Sequence, residues 1–110
     1  MSAESPMSAE SAPAHPRHEF DEHLNSPVRL SILAALVKVD DAEFKAVRDA
    51  IEVSDSVLSK QVGVLEVAGY VRVKKGYVGK RPRTWLSATD AGQAALQRHL
   101  TALRAITGDL

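Results

Sequence analysis

Apolar positions along this chain recur at intervals of three and four, and change to alternation just after residue 70. Phe20 and Leu24 stand four apart and predict a short first helix beginning near His18. Ser26 is a suitable N-cap with Pro27 at the first helical position. The apolar residues that follow, Val28, Leu30, Ile32, Leu33, Leu36 and Val37, nearly encircle the rod, which predicts a helix in the middle of a core. Asp40 and Asp41 break the pattern, Glu43-Phe44 is long enough for a very short strand, and Lys45 to Ile51 reads as a helix through Val47, Ala50 and Ile51. Ser54 or Asp55 can cap the next helix about three residues after that one ends, a junction so tight that the two helices must cross steeply in a helix-turn-helix. Glu52 stands in the turn, where many such motifs have Gly.

The second helix of that pair is predicted to stop at Gly69 in a left-handed C-cap. VRVKK then alternates apolar and basic as a half-buried strand does, the loop GYVGKRPR follows, and TWLSA completes a β-hairpin. Thr89 can cap a last helix through Ile106, on which Leu96, Leu100, Leu103 and Ile106 recur at four, three and three. The expected class is mainly α with one small β-hairpin.

Length allows a single core: 110 residues make one domain rather than two. Residues 1–17 are mostly Ser, Ala, Glu and Pro, with MSAES repeated at Met1 and Met7. Such a stretch buries too little to offset the entropy of ordering it and is expected to be a disordered tail, leaving 18–110 as the folded unit. With no cysteine there is neither disulfide nor thiolate zinc site, so self-association is the reinforcement left for so small a core. No run approaches the ~20 apolar residues that span a bilayer, and the first segment lacks the basic start and apolar centre of an export signal, so a cytoplasmic location with no membrane contact is expected.

Acids and bases balance at 14 each, which does not by itself suggest a polyanion binder, but their distribution does. Residues 1–50 hold nine acids and five bases; residues 51–110 hold five acids and nine bases. Six bases and no acid lie between Arg72 and Arg83, all on the predicted hairpin, where they repel one another unless an anion compensates. On the helix that begins near Asp55, Leu58, Val62 and Leu65 form one stripe and must face inward. Ser56, Lys60 and Gly63 therefore point outward, flanked by Val57 and Ser59. Hydroxyls, a lysine and a missing side chain suit close approach to bases and phosphates, and the plain alternative is a solvated helix face. A basic loop is also commonly just solvated, and the helix-turn-helix directly upstream is what favours DNA here. Arg29 can reach a phosphate or an acidic neighbour. Of the adjacent Trp85 and Leu86 only one can face inward, which is expected to be Leu86, with Trp85 covering the hairpin against Tyr77 rather than stacking on a base.

The run from SPVRLSILAAL through SDSVLSKQVGVLEVAGYV to the hairpin GYVGKRPRTW resembles the small winged-helix transcriptional regulators related to the MarR and ArsR families, over roughly residues 20–107. That resemblance implies a winged helix-turn-helix whose terminal helices form a dimer interface, and a sequence-specific DNA-binding regulator of transcription, a repressor in expectation. Its candidate contacts to double-stranded DNA are Ser54, Asp55, Ser56, Ser59, Lys60 and Gln61 on the recognition helix, with Lys75, Lys80, Arg81 and Arg83 on the wing. Val57 and Gln61 stand where relatives have polar or basic residues such as Asn and His. Phe20, Leu24, Leu96, Leu100, Leu103 and Ile106 are the expected interface of a homodimer, since the last helix carries more leucine than a lone cap needs. No cofactor and no metal site is expected: the metal-sensing relatives use a cysteine pair or a His and Asp set, whereas His15, His18, His23 and His99 are scattered. A small-molecule effector is compatible with this group, though no residue names one. The rival readings are a winged helix that binds an acidic protein and an enzyme; for the latter no phosphate loop, activated nucleophile or carboxylate pair can be assembled.

Overall fold

The computed structural model describes residues 14–108. The order of elements is two 3-10 turns (Pro16–Glu19 and Glu22–Leu24), α1 (Pro27–Leu36), β1 (Ala42–Glu43), α2 (Phe44–Ile51), α3 (Asp55–Val67), β2 (Val71–Val78), β3 (Arg81–Ala88) and α4 (Asp90–Thr107). The expected tail falls largely on residues 1–13, outside the described residues, while Pro16 and Arg17 already belong to the first turn.

Each boundary has a local cause. Ser26 Oγ accepts from Arg29 N at 3.2 Å, Ser54 Oγ from Val57 N at 3.2 Å and Thr89 Oγ1 from Gly92 N at 3.0 Å, so the three longer helices each start on a hydroxyl cap. At the end of α3 the chain closes a Schellman motif. Gly69 N–H donates to Glu66 O at 3.0 Å and Tyr70 N–H to Leu65 O at 2.9 Å, with Gly69 at φ +84°. Between α2 and α3 the left-handed position is taken by Glu52, at φ 59° and ψ 53°, the one non-glycine residue with positive φ among those described.

The core is one cluster at the meeting point of these elements. Leu24, Ile32, Leu33, Leu36, Val47, Leu58, Val62, Leu65, Val71, Leu86, Ala95 and Leu96 are buried there, with α1 running through the middle as its nearly all-round apolar character requires. The sheet has the order β1-β3-β2 and is antiparallel throughout, Val73 facing Leu86 and Ala42 facing the same Leu86 from the other side.

Three expectations need correction. Phe20 and Leu24 do not share a helix: Asp21 caps the second 3-10 turn by accepting from His23 N at 2.9 Å, and the segment lies across α4 as a strap. The loop is two residues, not eight. Strands run to Val78 and from Arg81, and Gly79 at φ +64° with Lys80 makes the turn. Trp85 covers Gly76 rather than Tyr77: a Cβ on Gly76 would lie 3.1 Å from the indole, while Tyr77 stays 73% exposed. Leu86 is fully buried, as expected.

Candidate nucleic-acid interface

Helix α3 and the β2-β3 ribbon stand side by side and enclose a cleft of about 360 Å³, lined by Phe44, Ser59, Val62, Gly63, Glu66, Val73, Lys75, Thr84 and Leu86. Leu58, Val62 and Leu65 anchor α3 in the core, which turns Ser56, Ser59 and Lys60 to solvent. Gly63 lies on the same outward side, and a Cβ there would meet nothing within 4 Å. The fold therefore has no use for glycine at that helical position, where it costs about 1 kcal/mol relative to alanine.

Strand alternation sorts the wing cations onto two faces. Val73 and Leu86 point into the core, so the next pair outward on that face, Lys75 opposite Thr84, borders the cleft, followed by Tyr77 opposite Pro82. Arg72, Lys74, Arg83 and Arg81 belong to the opposite face with Trp85, and Lys80 sits in the turn. The ribbon thus lies beside the outward side of α3, but only Lys75 among its strand cations faces that helix.

Eight of the ten candidate contacts are exposed, all but Gln61 and Arg83, and Lys60, Lys75, Lys80 and Arg81 have no carboxylate partner among the described residues. Four of the ten, Ser54, Asp55, Gln61 and Arg83, are engaged within the chain. Ser54 is the α3 cap, and its hydroxyl lies 3.2 Å from that of Ser56. Asp55 Oδ1 accepts from Arg48 Nη1 at 2.8 Å, a staple across the helix-turn-helix that with Asp49 raises the Arg48 pKa. Gln61 Oε1 accepts from Arg29 Nη1 at 2.8 Å. Arg83 Nε lies 3.2 Å from Glu43 Oε1, yet its N–H is not aimed at that oxygen, so the attraction is between charges rather than a hydrogen bond. Arg29 has no acidic partner among the described residues; its Nε donates to the carbonyl of His23 at 2.7 Å. Sequence spacing marks the Arg48 staple only as an Arg seven residues before an Asp, and does not mark Thr84 and Glu66 as cleft walls at all.

Of the expected dimer interface, Leu24 and Leu96 are 1% and 4% exposed and pack into the chain's own core. Phe20 is half-buried against the His99 ring, with centroids 4.8 Å apart, and Leu100 packs on the edge of the core. Leu103 and Ile106 remain 44% and 41% exposed. Among the described residues no group of three His, Cys, Asp or Glu could hold a metal, and no helix is long and apolar enough to cross a membrane.

The family described as winged helix DNA-binding domain matches residues 28–107, from the first turn of α1 to the end of α4. The chain belongs to that family. A winged-helix relative of known structure, a transcriptional regulator homologue from Pyrococcus horikoshii, superposes with a TM-score of 0.74 at 31% identity, over 80% of this chain and 87% of that one. An uncharacterized protein of Methanocaldococcus jannaschii is 30% identical over 76 residues, 69% of this chain and 83% of its own length. The Mycobacterium tuberculosis transcriptional regulator MOSR, whose structure is in complex with DNA, shares the fold with a TM-score of 0.65 at 19% identity, over 97% of this chain and 77% of that one. The expected winged helix is thus the family in which this chain lies, a family of DNA-binding domains, and its Pyrococcus horikoshii relative is a transcriptional regulator homologue.

Proposed function

We propose that this protein is a homodimeric, sequence-specific regulator of transcription, acting as a repressor in the cytoplasm, with α3 in the major groove and the wing on the neighbouring minor groove or phosphates. The observation that carries this is the outward side of α3, where Ser56, Ser59, Lys60 and the bare Gly63 stand next to a ribbon tipped by Lys80 and Arg81. Hydroxyls and a lysine near the start of a helix can reach base edges and phosphates in a groove about 12 Å wide, while wing cations add contacts that depend on charge more than on sequence.

The dimer rests on the exposed leucine and isoleucine of the last turns of α4, Leu103 and Ile106, continued by Leu100 and the free edge of Phe20. Paired on a two-fold axis, two such domains would set their recognition helices about one turn of duplex apart, roughly 34 Å, and read a near-palindromic site. A small-molecule effector would act by changing that spacing.

Selection of bound duplexes from a random pool, followed by mobility shifts at several salt concentrations, tests the reading. A preferred sequence should emerge, affinity should fall steeply with salt, and Lys60→Ala should weaken binding and reduce the salt slope by about one unit. Sequence-independent binding, or binding insensitive to Lys60, would leave the rival reading of a protein-binding winged helix.

A further inference from the structure

Behind the DNA-facing side lies a polar junction that the contacts above do not use. Asp21, on the strap, is its centre. Its backbone N–H donates to Nδ1 of the buried His99 on α4 at 3.1 Å. Its Oδ2 accepts from the Tyr70 hydroxyl, and its Oδ1 accepts from His23 N at 2.9 Å with the His23 ring nitrogen 3.1 Å away. From His23 the chain of bonds continues: its carbonyl accepts from Arg29 Nε, and Arg29 Nη1 donates to Gln61 in the middle of α3.

Tyr70 occupies the point where α3 becomes β2. Its N–H closes the α3 C-cap on Leu65, its carbonyl accepts from Thr89 N at 3.0 Å at the start of α4, and its hydroxyl reaches the strap. A Cβ on Gly92 would lie 2.3 Å from that same carbonyl, so α4 is pressed directly on the helix-to-wing corner. The recognition helix is therefore tied at two places, through Gln61 at its middle and Tyr70 at its end, to one strap that is itself fastened to α4.

We propose that this junction sets the angle of α3 relative to the wing, and that Tyr70 and Arg29 are positioning residues for sequence discrimination although neither touches DNA. The inference rests on the function proposed above. Base readout is the interaction sensitive to angle: a bidentate contact is lost when a side chain shifts by a fraction of its hydrogen-bond length, whereas cations on flexible stems follow phosphates through such a shift. Arg29 is suited to the role because its planar fork holds two acceptors on different elements at once, which the single ammonium of a lysine does not reproduce.

The test uses two conservative variants of the full chain, Tyr70→Phe and Arg29→Lys. Tyr70→Phe removes one oxygen and keeps the ring, which meets the His23 ring edge-on with centroids 5.7 Å apart. Binding is measured on the duplex selected by the wild-type protein and on a scrambled duplex of equal length, at a temperature where circular dichroism shows both variants folded. Each variant should lose about tenfold on the selected duplex and less than twofold on the scrambled one, with the salt slope unchanged because no phosphate-contacting cation is altered. An equal loss on both duplexes would mean that the junction only stabilises the fold, and no loss on either would mean that α3 holds its angle without it; each result overturns the proposal. If the wild-type protein selects no sequence, the failure belongs to the proposed function, and the inference falls with it.

Discussion

Gly63→Ala separates what α3 needs for folding from what it needs for binding. Glycine inside a helix costs about 0.8–1.0 kcal/mol relative to alanine, because the unfolded chain has more freedom to lose. That cost is worth bearing for packing only where a methyl would collide, and at Gly63 the added carbon meets no atom within 4 Å. The variant should therefore be more stable by about 0.5–1 kcal/mol, which for a domain of this size raises the unfolding midpoint by roughly 2–8 °C. The same methyl would stand on the side turned to the groove, at the wall of the cleft shared with Ser59 and Lys75. An added group at a close-packed contact costs about 1–3 kcal/mol, so affinity for the selected duplex should fall about tenfold while stability rises. Thermal unfolding at fixed protein concentration and a binding titration on the same sample give both signs. A lower midpoint would show that the site is not open, and unchanged or tighter binding would remove this side of α3 from the DNA contact.

Glu52→Gly should raise the denaturation midpoint in urea by an amount corresponding to about 1 kcal/mol, because Glu52 holds a left-handed conformation at φ 59° with an exposed side chain, and glycine adopts that conformation without the Cβ penalty. Stability should also fall at both ends of the pH range. For Asp21, burial works against the charged form, but the hydrogen bonds from Tyr70 and His23 outweigh it and lower the pKa, so its contribution is present above the ordinary carboxylate range and lost as pH falls below about 4. The Tyr70 pKa is raised, first by its hydrogen bond to Asp21 and then by burial, so that contribution is present below about pH 10 and lost above it. Tyr70→Phe should abolish the alkaline loss and shrink the acid one, read from urea midpoints across pH; an unchanged alkaline limb would refute the assignment.

What could be read from the sequence was whatever short-range pattern decides. Ser26-Pro27, Ser54 and Thr89 announce helix starts through bonds that span three residues, and Leu58, Val62 and Leu65 show which way α3 faces. The strap could not be read this way. A spacing of four between Phe20 and Leu24 is helical, but Asp21 bonding back to His23 and out to Tyr70, 49 positions away, holds the segment in 3-10 turns. Gly76 and Pro82 look like turn residues, and that resemblance makes the hairpin seem shorter in sequence than it is in the fold. Gly76 instead makes room for the Trp85 ring, and Pro82 falls where β3 has left its pairing with β1, so its missing N–H leaves no bond unmade on that side. Periodicity also cannot tell a buried leucine from an exposed one on a helix end, so Leu24 and Leu96, which are buried, look the same in sequence as Leu103 and Ile106, which are not.

The six cations of the wing illustrate the same limit, since their crowding in sequence does not make them equivalent in space. Arg81 and Arg83 are two residues apart on one strand and therefore share a face, but Arg83 lies beside β1, where Glu43 stands 3.2 Å from its Nε, and its side chain is 23% exposed. Arg81 is paired with Val78 next to the turn and is exposed. A guanidinium that already has a carboxylate beside it releases little when a phosphate approaches, and it must leave that partner to do so; one in water has no such cost. Arg81→Ala should therefore weaken DNA binding and lower the salt slope by about one unit with stability unchanged. Arg83→Ala should leave the slope nearly as it was and instead lose stability by up to about 1 kcal/mol, as the Glu43 carboxylate is left alone at the base of the sheet. If the two variants exchanged these effects, the charge that meets DNA would lie at the root of the wing and not at its tip.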